Sequence, residues 1–128
     1  MPILIDGWNL IKDKSSVLKN QTPLAAAQAL IGYLFTFQIN HNDPILLILD
    51  SKKECLALHH RDSAKLQIIP TPNADSFIKK YVDRTAANQR RNIRVVSSDL
   101  DIYDFARHCQ ATVIKCSEFW RKLLKKSE

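Results

Sequence analysis

Short aliphatic runs alternate along the chain with longer stretches in which apolar residues recur every three or four positions. PILI at 2–5, PILLILD at 44–50, KLQII at 65–69, IRVVS at 93–97 and ATVIK at 111–115 read as five strands. The second is apolar almost throughout, as expected of a strand buried on both faces of a parallel sheet. Between the first two strands, Leu24, Ala27, Ile31, Leu34, Phe35 and Gln38 fall at helical spacing, entered through Thr22 as N-cap and Pro23 at the first helical position. Residues 73–91 set Phe77, Ile78, Tyr81 and Val82 against Lys79, Lys80, Asp83 and Arg84, which predicts a second amphipathic helix. A third spans 99–109 with Ile102, Phe105 and Ala106 inward, and a last one starts at Ser117, carries Phe119, Trp120, Leu123 and Leu124, and ends in lysines suited to the negative end of its dipole. The least patterned segment, SKKECLALHHRDSA at 51–64, reads as a short helix or a loop.

Strands alternating with helices predict an α/β fold. The 128 residues, 45% hydrophobic and 25% charged, suit one globular domain over 1–128 with a continuous core. No apolar run approaches the roughly 18 residues of a membrane span, and no basic segment leads into a long apolar one, so a cytoplasmic protein without membrane contact is expected. Cys55, Cys109 and Cys116 are odd in number and lack C-x-x-C spacing, which fits reduced thiols. A net charge of +6 favours a polyanionic partner and points toward nucleic acid.

Acidic residues punctuate the strand ends. In an open parallel sheet, ligands bind beyond the carboxyl ends of the strands, where the strand order reverses. Asp6 and Asp50 end the first two strands, Asp99 follows the fourth, Asp101 lies two residues on, and Asp75 opens the helix after the third. Carboxylates converging on one edge repel unless a cation sits between them, and a hard divalent ion such as Mg²⁺ or Mn²⁺ resolves the conflict. Such an ion supports phosphodiester hydrolysis, and a basic surface around it would hold the nucleic-acid backbone. Taken one at a time, Asp75, Asp99 and Asp101 also suit helix N-termini. Gly7 is expected to make a tight turn that folds Asn9 back beside Asp6, and Ser98 to support the acids. Trp8 fits a core position better than a base-stacking one. For RNA contact the favoured cluster is Lys52, Lys53, His59, His60 and Arg61, because that segment begins directly after Asp50.

Taken in order, LIDGWNLI, LILD, TPNADSFIKKYV, VVSSDLD and ATVIKCSEFWRKL resemble the motifs of NYN domains, with the final stretch similar to the YacP-like branch. The resemblance implies a PIN-like three-layer fold, a five-stranded parallel sheet of order 3-2-1-4-5, and metal-dependent endoribonuclease activity. It implies an acidic site of Asp6, Asp50, Asp75 and Asp99, with Asp6, Asp99, Asp75 and Asp101 toward the metal, and Asn9 and Ser98 in support. It further implies RNA as partner, with ribosome-associated mRNA as the substrate class. Two positions depart from the family pattern: Trp8 replaces a tyrosine, and Ser76 stands where a second acid often follows Asp75. The alternative is a binding module for RNA or the ribosome that keeps the fold without productive metal binding. An aspartate-based phosphotransfer domain is disfavoured because LILDSKK lacks a D-x-D-x-T/V nucleophile motif.

Overall fold

A computed structural model of the chain describes residues 2–50 and 65–125. The strands are β1 (Ile3–Asp6), β2 (Ile45–Asp50), β3 (Leu66–Thr71), β4 (Arg94–Val96) and β5 (Thr112–Ile114). They form one parallel sheet of order β3-β2-β1-β4-β5. The helices are α1 (Gly7–Lys12), α2 (Pro23–Asn40), α3 (Ala74–Arg84), α4 (Leu100–His108) and α5 (Cys116–Leu124). No described helix is long and apolar enough to cross a membrane.

The core is two layers, divided by the period-2 alternation of strand side chains. Ile3 and Ile5 of β1 join Ile45, Leu47, Leu49 and Val96 in one cluster, which α1, α2 and α5 complete with Trp8, Leu30, Leu34, Phe119 and Trp120. Leu4, Ile48 and Val95 face the other way, onto Ala74, Ile78 and Val82 of α3 and Ile102 and Ala106 of α4. Every residue of β1 is buried, as the central strand of a covered sheet requires. Trp8 is a core residue, its indole Nε1–H donating to the Asp50 carbonyl at 3.0 Å.

The five expected strands and four expected helices are present, and three details differ. First, residues 7–12 are a helix rather than a tight turn, and Gly7 has no positive φ. Glycine is needed there for space: a Cβ would stand 2.5 Å from Leu49 Cδ2 and 3.0 Å from the Ile48 carbonyl. Second, α2 begins as expected, with Ala25 N–H donating to Thr22 Oγ1, but it is rotated. Ala26, Ala27, Leu30, Ile31, Leu34 and Phe37 are buried while Leu24 and Phe35 are exposed. A helix apolar nearly all round does not choose its own face, and the small Ala26 and Ala27 let this side approach closest. Gln38, expected inward, instead donates to the Lys65 and Asp43 carbonyls. Third, α3 stops at Arg84, not residue 91, and a 3₁₀ turn (Ala87–Asn92) follows. The Thr85 hydroxyl bonds back to the Tyr81 carbonyl, and Arg90 donates to the carbonyls of Asp83 and Thr85, satisfying backbone groups that would otherwise propagate the helix.

Gly7→Ala tests the packing of α1 on β2. The extra methyl meets backbone as well as the Leu49 side chain, and overpacking of this kind costs about 1–3 kcal/mol, which outweighs the ~1 kcal/mol gained in helix propensity. Urea unfolding of the variant is expected to give a lower midpoint at unchanged slope.

Candidate functional site

β1 ends where the sheet reverses its order, because the chain leaves β1 to reach β2 on one side and later returns to place β4 on the other. Asp6 is the last residue of that strand and is 7% exposed. Although it stands at the N-cap of α1, its side chain makes no capping hydrogen bond to that helix. Strand alternation puts Asp6 on the face shared by Leu4 and Ile48, the one covered by α3 and α4.

Asp50 is on the same face of β2 but further out. Asp6 is in register with Ile48, so Asp50 lies two residues, roughly 6.6 Å, beyond it along the sheet edge. On the other side Val96 is level with Ile5, and Ser97 and Ser98 carry the chain outward to Asp99. Ser97 is fully buried: its N–H donates to the Ile114 carbonyl, and its hydroxyl accepts the Asp99 N–H at 3.1 Å. Asp99 is the N-cap of α4, with Oδ1 accepting from Asp101 N–H at 2.9 Å and Ile102 N–H at 3.4 Å. Its second oxygen takes no part in the cap. One oxygen of the carboxylate thus serves the helix start.

Asn9 lies within α1, which Gly7 opens, rather than after a glycine turn. It reaches across to the end of β4, where Oδ1 accepts the Ser98 N–H at 2.8 Å and the Cys116 thiol at 3.2 Å. Ser98 Oγ accepts from Cys116 N–H at 3.2 Å and lies 3.4 Å from Asp13 Oδ1 as donor. Asn9, Asp13, Ser98 and Cys116 therefore tie α1, the β4–α4 junction and α5 into one knot beside Asp99. Burial pushes the Cys116 thiol up to about 11, so it stays protonated and keeps its S–H to donate. Cys116 and Asp13 carry no recognisable sequence signal, since each acts through a partner about 85 or more positions away.

The remaining acids are held by a lysine. Lys79 Nζ stands 2.5 Å from Asp101 Oδ2 and 3.3 Å from Asp75 Oδ1, bridging the first turns of α3 and α4. Hydrogen bonding to Lys79, and then its charge, hold the Asp101 carboxyl below its ordinary value; the bond to Asp101 raises Lys79 despite its desolvation. The Asp75–Lys79 spacing of four residues, visible in the sequence, is the signal that marks this pair. Asp75 Oδ1 is also enclosed, with the Lys79 ammonium as its neighbour. Lys52, Lys53, His59, His60 and Arg61 lie outside the described residues.

In kind, the donors fit a hard divalent ion, since all are carboxylate oxygens. In spacing, no three Asp, Glu, His or Cys side chains among the described residues stand close enough to hold one ion. The fitting mode is therefore the one Mg²⁺ commonly uses, one or two protein carboxylates with water completing the shell. Asp6 ends the central strand and Asp99 opens the helix after its neighbour, while Asp75 and Asp101 share Lys79.

The model for the YacP-like NYN domain matches residues 3–128 of the sequence. The fold is similar to that of Rae1 (YacP) from Bacillus subtilis. A mutant of that protein superposes with a TM-score of 0.75 at 20% identity, over 95% of this chain and 74% of the other. A second crystal structure of Rae1 (YacP) gives 0.69 at 21% identity, over 96% and 73%. No curated protein matches the sequence.

Lys79→Met separates the ion pair from the fold. The lowered Asp101 value makes its contribution to stability complete above the ordinary carboxylate range and lost as pH falls through the lowered value; the raised Lys79 value makes its contribution lost only as pH climbs past its ordinary 10.5. The bridge is thus intact across neutral pH. In an NMR titration, the Asp101 carboxyl of Lys79→Met is expected to titrate higher than in the parent protein, back toward 3.8.

Proposed function

The chain belongs to the YacP-like NYN domain family, and from that premise we propose that it is a Mg²⁺- or Mn²⁺-dependent endoribonuclease. The observation that carries this reading is the position of Asp6 and Asp99: one ends the central strand, the other opens the helix after the adjacent strand, and both lie at the edge where the strand order reverses. A chain with net charge +6 that gathers its acids at this edge has the charge pattern of a protein that binds a polyanion and neutralises one phosphate of it.

Asp6 and Asp99 would hold the ion, which when bound supplies Lewis acidity toward a phosphoryl oxygen and lowers the pKa of water. Asp50 and Asp75 would complete the metal shell or orient the attacking water, one carboxylate accepting its proton. Asp101 keeps Lys79 beside Asp75, so a cation remains near the phosphate without a second metal. Asn9 and Ser98 fix the β4–α4 junction and with it the direction of Asp99. Water displaces the 3′-oxygen in line and the leaving oxygen takes a proton from solvent, giving a 5′-phosphate and a 3′-hydroxyl, as the family resemblance implies. The same resemblance supports ribosome-associated mRNA as the substrate class.

A second reading is favoured by one observation. Lys79 already neutralises Asp75 and Asp101, and Ser76 replaces a further acid, which is the pattern expected of an RNA- or ribosome-binding module that has kept the fold and given up metal chemistry.

Incubation with mixed single-stranded RNA separates the two. Cleavage is expected with Mn²⁺ or Mg²⁺, to be abolished by chelation, and to fall at least 100-fold in Asp6→Asn and in Asp99→Asn. RNA binding without cleavage, unchanged by either substitution, selects the binding module; cleavage that survives chelation eliminates the metal mechanism.

A further inference from the structure

Leu100 directly follows Asp99, occupies the first turn of α4 and is 75% exposed, an unusual place for a leucine in a chain that buries most of its aliphatic residues. It does not stand alone. Leu100, Tyr103, Lys115 and Ser98 line a cleft of about 340 Å³, at the low end of the range of small-molecule sites and suited to a single nucleotide rather than a duplex. Tyr103, one turn beyond Leu100, is half-buried, and the Arg107 guanidinium lies 5.7 Å from its ring centroid. Lys115 closes the cleft from the end of β5.

Ser98 also lines a second cleft, of about 300 Å³, with Trp8, Asn9, Lys12, Asp13 and Lys14. The two clefts share Ser98 at the β4–α4 junction, the residue before Asp99, with Lys12 and Lys14 bordering one cleft and Tyr103 and Lys115 the other. The lysines suit phosphates. An aromatic ring with a leucine beside it and cations at its border suits an unstacked base, the combination by which single-stranded nucleic acid is held without reading its sequence.

We propose that the Leu100–Tyr103–Lys115 cleft is a subsite for one unpaired nucleotide of an RNA strand, its base stacked on Tyr103 and its phosphate near Lys115, next to the bond presented to Asp6 and Asp99. This rests on the ribonuclease reading for the identity of the ligand and adds where the strand lies. Charge complementarity, with Lys115 in this cleft and Lys12 and Lys14 in the one beside it, selects RNA over a protein partner. The site requires the nucleotide to be unstacked, so it favours single-stranded RNA over duplex.

The test is the affinity of a fluorescein-labelled single-stranded RNA octamer, read by anisotropy in EDTA so that no cleavage intervenes, with a cleavage assay in Mn²⁺ run beside it. Tyr103→Ala is expected to weaken binding about tenfold and Tyr103→Phe to retain it. Leu100→Asp, at an exposed position that bears little on folding, is also expected to weaken it, which keeps the test decisive if Tyr103→Ala is misfolded by circular dichroism. Lys115→Ala is expected to reduce the salt dependence by about one phosphate contact. Wild-type affinity in both Tyr103→Ala and Leu100→Asp overturns the subsite, whether or not the protein cleaves. Weakened binding in a protein that cleaves nothing keeps the subsite and overturns the nuclease. Failure of the parent protein to bind the octamer, or equal binding of a duplex, overturns the subsite, while the Mn²⁺ assay still decides the enzyme.

Discussion

Asn9 Oδ1 accepts two hydrogens, from the Ser98 backbone and the Cys116 thiol, and through them a side chain on the first helix holds the end of the fourth strand and the start of the last helix. Sequence separations of 89 and 107 residues are closed at one oxygen atom. The parallel sheet brings β1 and β4 side by side, but it does not dictate how the chain leaves β4, and Asp99 is carried on that exit. With the Ser98 N–H fixed, the Ser97 hydroxyl meets the Asp99 N–H, and the Asp99 carboxylate is set at the start of α4. Loss of the amide would strand a buried thiol and free the junction, so the acidic edge depends on an uncharged group as much as on its carboxylates.

The electrostatics follow the same economy. Five acids on one edge of a sheet would repel one another, and the fold separates them by height and partner. Asp50 is displaced outward by the β1–β2 register, Asp75 and Asp101 share Lys79, and Asp99 gives one oxygen to a helix N-terminus. Asp6 stays at the buried end of the central strand, at the switch point. On the proposed reading, a divalent ion held by Asp6 and Asp99 would meet two carboxylates with water around it.

Much of this was legible in the sequence. The five strands follow from short apolar runs, two of which lead straight into Asp6 and Asp50, and the strand order from motifs whose sequence resembles one family. What escaped has identifiable causes. Gly7 looked like a turn because glycine permits one; its requirement is the absence of a Cβ against Leu49, which only packing reveals. The rotation of α2 escaped because apolar residues surround that helix, so periodicity offered more than one inward face. The direction of Asn9 depended on contacts 89 and 107 positions away. Lys79 was hidden in plain view, its spacing from Asp75 legible and its second partner, Asp101, supplied by another helix.

That Asp6 and Asp99 together hold a divalent ion is the claim on which the functional account turns. Paramagnetic broadening by Mn²⁺ in ¹H–¹⁵N spectra measures it without any substrate. At substoichiometric Mn²⁺, broadening is expected to centre on the amides of Asp6, Gly7, Ser98 and Asp99 and to vanish from all four in Asp6→Asn. Broadening spread over the acidic surface, or centred on Asp75 and Asp101 and unchanged in Asp6→Asn, would contradict it.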